Sequence, residues 1–202
     1  MKVVSIEGTL RPDFGKTATR QIRTQGLVPA VIYGGKEVIH FSAPLLAFRS
    51  LVYTPDFQIA EITVNGKTYR TIMKDLQFDV ITDTLSHVDF LELVEDKRVV
   101  ATLPIKFIGQ PIGVKEGGRL EIKLKALNVR TYPKHLKESI DLNIENLQLL
   151  ANVRVQDVVV ENMEVLNSPR IPIATVVTTR ALRQAETEAA AAAKGAKGAK
   201  KK

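Results

Sequence analysis

Four cations recur at short spacing near the start of the chain: Arg11, Lys16, Arg20 and Arg23. Between Gly15 and Gly26, three- and four-residue intervals put Lys16, Arg20 and Arg23 on one helical face and Ala18, Ile22 and Gln25 on another. Cations spaced in this way follow a phosphate backbone, and an arginine fork also matches guanine O6 and N7. Thr17 and Thr19 add hydroxyls able to donate to phosphate or ribose. The same spacing also describes an ordinary solvated helix face. The VIYGG run that follows sets Tyr33 beside Gly34 and Gly35, where a backbone can approach closely. Tyr33 then either stacks on a base or packs in a core.

His87 and Asp89 alternate across one residue, so in a strand both point to the same face. As a catalytic pair they would be base and orienter, but neither a nucleophile motif nor a glycine-flanked serine accompanies them. A hydrogen-bonded structural pair or an RNA-contacting pair is the expectation. Gly15-Lys16-Thr17 superficially resembles the end of a P-loop. Leu10 and Arg11 stand where that motif needs its earlier glycine, so nucleotide binding is rejected. The absence of cysteine excludes disulfides and thiolate metal sites, and His40, His87 and His135 have no metal-ligand spacing. No enzymatic activity and no cofactor are expected.

Charge is distributed unevenly. Residues 1–36 hold six basic and two acidic side chains, whereas residues 37–93 hold four basic and eight acidic ones. Residues 94–183 hold fourteen basic and ten acidic, and residues 184–202 five and two. The first 93 residues are thus neutral in sum but have their positive charge crowded into the first third, as a polyanion-facing surface requires. The apolar residues are mostly Val, Ile and Leu, with no Trp, which favours β structure over an aromatic-lined pocket. No stretch approaches the roughly 20 apolar residues of a membrane-spanning helix, and a soluble, cytoplasmic protein is expected.

These elements must position the candidates. Strands are predicted at Val3–Leu10, Val28–Tyr33, Phe57–Val64, Lys67–Phe78 and Leu85–Leu93, with Asn65-Gly66 as a hairpin turn. Helices are predicted over Gly15–Gly26 and over Pro44–Val52, the latter with Ser42 as N-cap. The expected fold is α+β and mostly β. Residues 1–93 form an antiparallel β-barrel with two or three short helices, and 94–183 an all-β C-terminal domain. Its strands are Val99–Ile108, Arg119–Val129, Ser139–Ile144, Val153–Val160 and Ile171–Val177, with a mobile loop over Gly109–Gly118. Residues 184–202, rich in Ala, Lys and Gly, are expected to be a disordered basic tail.

The run GKTATRQIRTQGLVPAVIYGGKE, followed by KDLQFD and HVDF, resembles a known family. It is similar to the bacterial large-subunit ribosomal protein that binds 5S ribosomal RNA, in its longer general-stress (Ctc) form with a C-terminal β domain. The resemblance rests on motifs over residues 3–93, and on length and β character over 94–180. It implies a ribosomal, RNA-binding barrel whose RNA-facing set is Arg11, Lys16, Thr19, Arg20, Arg23, Tyr33, Gln77, His87 and Asp89. The implied partners are 5S rRNA and the large ribosomal subunit; the C-terminal domain, with its net charge of +4 over residues 94–183, is expected to touch other ribosomal RNA or neighbouring ribosomal proteins, or to protrude from the particle. Pro12 and Gln21 stand where the family often has basic residues, and each removes a phosphate contact. The competing reading is a protein–protein adapter whose β module binds a partner, the basic helix being incidental.

Overall fold

A computed structural model describes residues 1–180 and Gln184. In chain order come β1 (Val3–Leu10), α1 (Lys16–Thr24), β2 (Leu27–Tyr33) and β3 (Ile39–Pro44). A single 3₁₀ turn at Leu45–Phe48 then runs into α2 (Arg49–Val52), followed by β4 (Ile59–Val64), β5 (Lys67–Phe78) and β6 (Leu85–Glu92). The six strands close into a barrel in the order β1-β3-β2-β6-β5-β4, leaving no edge within it exposed to pairing. Four ladders are antiparallel, and two, β1 with β4 and β2 with β6, are parallel.

The barrel follows from alternation. Ala30 and Ile32 of β2, Phe41 and Ala43 of β3, Ala60, Ile62 and Val64 of β4, and Val88 and Phe90 of β6 all face one buried core. Phe90 lies 6.1 Å from both Phe41 and Phe48. The β4–β5 hairpin turns at Asn65 (φ 49°) and Gly66 (φ 76°), the two left-handed residues that its tight turn requires.

The prediction at Ser42 needs correcting. It is not an N-cap: it lies buried within β3, opposite Pro29 of β2 and Thr9 of β1, and its hydroxyl is 3.1 Å from that of Thr9. Pairing on both sides outweighs a local capping signal that a Ser followed by Pro44 imitates.

After residue 93 come β7 (Val99–Ile108), α3 (Ile112–Lys115), β8 (Arg119–Ile122), β9 (Ala126–Thr131), β10 (Ile140–Asn143), β11 (Asn152–Arg154), β12 (Glu164–Val165) and β13 (Pro172–Val177). The described residues separate into two compact units that are not contiguous in sequence. The first holds residues 1–104, 128–139 and 161–166, and the second the remainder. The first contains the barrel, together with β12 paired antiparallel to β9 at Glu164↔Arg130. In the second, β10 pairs parallel to β7 from Ile140↔Ile105, and β11-β13-β8 form a three-stranded sheet.

The predicted strand Arg119–Val129 is broken into β8 and β9, and Val153–Val160 passes from β11 into a 3₁₀ turn at Val155–Asp157. Gly109–Gly118, expected to be a mobile loop, carries α3, and its backbone is tied by Ile112 N–H to Glu145 O at 3.1 Å and Gly113 N–H to Leu147 O at 3.0 Å. The tail expected from residue 184 lies outside the described residues except for Gln184.

Because Phe90 is wholly buried between two aromatic rings, Phe90→Ala is expected to cost about 3–5 kcal/mol of stability, read from the midpoint of urea unfolding.

Candidate nucleic-acid interface

The helix α1 has no buried residue. Ala18, Thr19 and Ile22 are half-buried, and one side chain bonds the helix to the barrel. Gly26 (φ 76°) closes it, with its N–H donating to Arg23 O at 3.0 Å. Arg23 Nε donates to Ser86 O of β6 at 3.0 Å, which turns that arginine towards the barrel. Lys16 and Arg20 stand exposed on the helix, and Arg20 flanks a shallow depression shared with Thr17, Gln21, Thr24 and Gln25. The Thr19 hydroxyl donates to Gly15 O at 2.9 Å and lies 3.1 Å from Lys16 O, so towards a ligand it offers only acceptor lone pairs.

The outer face of β3-β2-β6-β5 supplies the remaining groups. Phe41, Ile32 and Phe90 point inward, so His40, Tyr33 and Asp89, one residue along, point outward. On β5 the alternation is re-phased. Met73 and Leu76 both pack on the core, although an unbroken strand would turn them to opposite sides. The register shifts between Met73 and Asp75, a one-residue bulge. As a result Asp75 and Gln77 face outward, opposite Asp89 and His87 respectively. His87 Nδ1 lies 2.7 Å from Asp89 Oδ1, which fixes the ring and, in the neutral imidazole, leaves Nε2 as the acceptor. Tyr33 is close enough to feel both carboxylates: burial first, then the charges of Asp89 and Asp75, push its phenol above the ordinary 10.0. It therefore stays a donor.

At the other margin of the face, Arg11 N–H donates to His40 O at 3.2 Å. The Arg11 guanidinium lies 5.7 Å from the ring centre of Phe14, which meets His40 edge-to-face at 4.9 Å. Arg11 Nε and Nη1 and His40 Nδ1 are buried without a hydrogen-bond partner. Burial and then the charge of Arg23 push the Arg11 pKa down, yet a guanidinium remains charged. Two arginines that feel one another, one of them with unmet donors, make a place where an anion is stabilised.

Among the predicted residues, Arg11, Arg23, Tyr33, Gln77, His87 and Asp89 thus share one composite face, and Lys16 and Arg20 extend it along the helix. Three further members are not legible in the sequence. His40 depends on β3, whose strand signal is short and overlaps a false helix start at Ser42 and Pro44, Asp75 depends on a bulge, and Phe14 follows a strand-breaking Pro12-Asp13. The one available signal is the alternation His40–Phe41–Ser42–Ala43. Among the described residues, no group of three or more His, Asp or Glu is placed to hold a metal, and no helix is long and apolar enough to cross a membrane.

A closed barrel with a cationic helix laid beside a polar outer face defines a protein built to meet a polyanion. Comparison with known proteins narrows this. Residues 6–90 match the model of the Ribosomal L25p family, and residues 98–180 match that of the ribosomal protein TL5 C-terminal domain. The chain is 39% identical over 189 residues to the large ribosomal subunit protein bL25 of Amoebophilus asiaticus, covering 94% of this chain and 96% of that protein. It is 38% identical over 190 residues to the protein of the same name from Cytophaga hutchinsonii, covering 94% and 99%. The Porphyromonas gingivalis protein of that name is 36% identical over 187 residues, covering 92% and 97%. The chain belongs to the Ribosomal L25p family.

His40 gives a pH dependence. Burial first, then the charges of Arg11 and His87, lower its pKa from 6.5. A depressed folded pKa favours the neutral ring, so its contribution to stability is complete above 6.5 and is lost as pH falls through the folded value. His40→Gln is expected to flatten the acid-side fall in melting temperature relative to the wild type.

Proposed function

We propose that this protein is a structural constituent of the large ribosomal subunit, working in the cytoplasm on the ribosome, and that it binds 5S ribosomal RNA through the outer face of its barrel. Residues 1–93 carry that binding, and residues 94–183 meet neighbouring RNA or protein. Family membership supports the ribosomal assignment. The observation that carries the RNA assignment is Arg11, whose buried Nε and Nη1 lack partners beside a second arginine. A phosphate held beside Arg11 and Arg23 offsets their mutual repulsion.

The division of labour follows from the side chains. Arg11, Arg23, Arg20 and Lys16 neutralise phosphates and set the register. Gln77, with one donor and one acceptor group, and His87 Nε2 present hydrogen-bonding groups of the kind that read base edges or 2′-hydroxyls in a wide, shallow RNA minor groove. The Tyr33 phenol donates to phosphate or ribose. No group needs to transfer a proton, and the His87–Asp89 pair serves to orient an acceptor. This is recognition by shape and charge, without turnover.

Arg20→Ala and Arg23→Ala are each expected to weaken binding to 5S RNA and to lower the salt slope of log K by about one unit for every phosphate no longer neutralised. Arg23→Ala should cost more, because it also releases α1 from Ser86. Filter binding across a salt series measures both, and unchanged binding of both variants at moderate salt would overturn the assignment.

A further inference from the structure

The tip of the β5–β6 hairpin presents two aliphatic side chains almost wholly to the outside: Val80 is 96% exposed and Ile81 93%. Exposed aliphatics are ordinary on a loop free to fold them away, but this loop is built rigidly. The Asp79 carboxylate accepts from Ile81 N–H at 2.9 Å and Thr82 N–H at 3.1 Å. Asp79 N–H donates to Thr84 O at 2.8 Å, and Asp83 N–H to Asp79 O at 3.0 Å. The Thr82 and Thr84 hydroxyls lie 2.8 Å apart, and Asp83 is held at φ 50°. Every internal bond of the turn is made by backbone, carboxylate or hydroxyl, so none of them uses the side chain of Val80 or Ile81.

Next to the tip runs a groove of about 540 Å³, lined by Arg23, Leu27, Leu45, Phe78, Val80 and Leu85 among others. Apolar surface displayed on a fixed scaffold is the signature of a contact made to something else. The charges decide what that is. From Asp79 to Thr84 the loop carries two carboxylates and no cation. Although Arg23 lines the groove, the tip itself repels a phosphate backbone and attracts a cationic rim. The tip nevertheless continues the stem that bears Gln77 and His87, so its partner sits beside the RNA.

We propose that Val80 and Ile81 seat in an apolar, basic-rimmed recess of a second protein bound next to the RNA in the same particle. This rests on the ribosomal reading above. It also gives the first unit a protein contact, a role that the sequence alone assigns to the C-terminal domain.

The test compares full-length wild type with the Val80→Ser/Ile81→Ser double variant. Both are titrated against naked 5S RNA and against large subunits stripped of this protein. Truncating two aliphatic side chains that the recess would bury is expected to weaken subunit binding by about tenfold or more, with naked-RNA binding unchanged. A benzophenone side chain at position 81 is expected to cross-link to a protein of the subunit. Equal binding of both chains to subunits overturns the proposal. So does a matching loss on naked RNA, or a cross-link to RNA, either of which would make the tip an RNA wedge. Asp83→Lys should also weaken subunit binding while leaving or strengthening RNA binding; tighter subunit binding would overturn the charge argument. Failure of the wild type on both RNA and subunits would overturn the proposed function, and the docking site with it.

Discussion

Phe90 packs between Phe41 and Phe48, 6.1 Å from each, and this contact fixes which side of two strands faces water. With Phe41 inside, His40 is outside. With Phe90 inside, Asp89 and, two residues away, His87 are outside. The parallel ladder Ile32↔Phe90 carries the same phase into β2 and turns Tyr33 outward. A closed barrel commits every second side chain to its core, so the positions left for recognition are set by packing. The ladder between β5 and β6 interrupts this alternation twice: a shift between Gln77 and Phe78 lets Leu85 and Val88 both face the core, and the bulge after Met73 brings Asp75 and Gln77 to the outer face.

The fold was legible where its signals are local. The Asn65-Gly66 turn, the two strands that it joins and the helix between Gly15 and Gly26 can be read without neighbours, because turn chemistry and periodicity suffice. β3 could not be read that way. Its Ser42 and Pro44 mimic a helix start, and what makes it a strand is pairing to β1 and β2. That pairing is an energy which no window of sequence contains. The same holds for the interface. Its cations stand in a visible periodic row, while His40 and Asp75 join it only through a strand of short, ambiguous signal and a bulge. After residue 108 the glycines suggested looseness; Gly109–Gly118 instead carries a helical turn, because its N–H groups find acceptors at Glu145 and Leu147.

The interface is also a place where stability has been set aside. Arg11 keeps charged donors buried without acceptors, beside another arginine, and Asp75 stands directly opposite Asp89. Each arrangement is unfavourable in the isolated chain. Both lie outside the barrel, across the sheet from the aromatic cluster, so the penalty does not fall on the core that fixes the strand phase. A face strained in this way has more to gain from a partner than a self-satisfied one has.

The two parallel ladders have a consequence for synthesis. β1 has its long partner in β4, from Val3↔Ile59 onward, and β2 is flanked by β6 up to Tyr33↔Leu91. A nascent chain that has emerged only as far as α1 therefore carries its arginines with neither ladder in place. The platform under them is complete only when β6 has left the ribosome and the barrel closes, an event dominated by sequence-distant contacts. The strands that carry the outer face are therefore all in place only after residue 92 has been made.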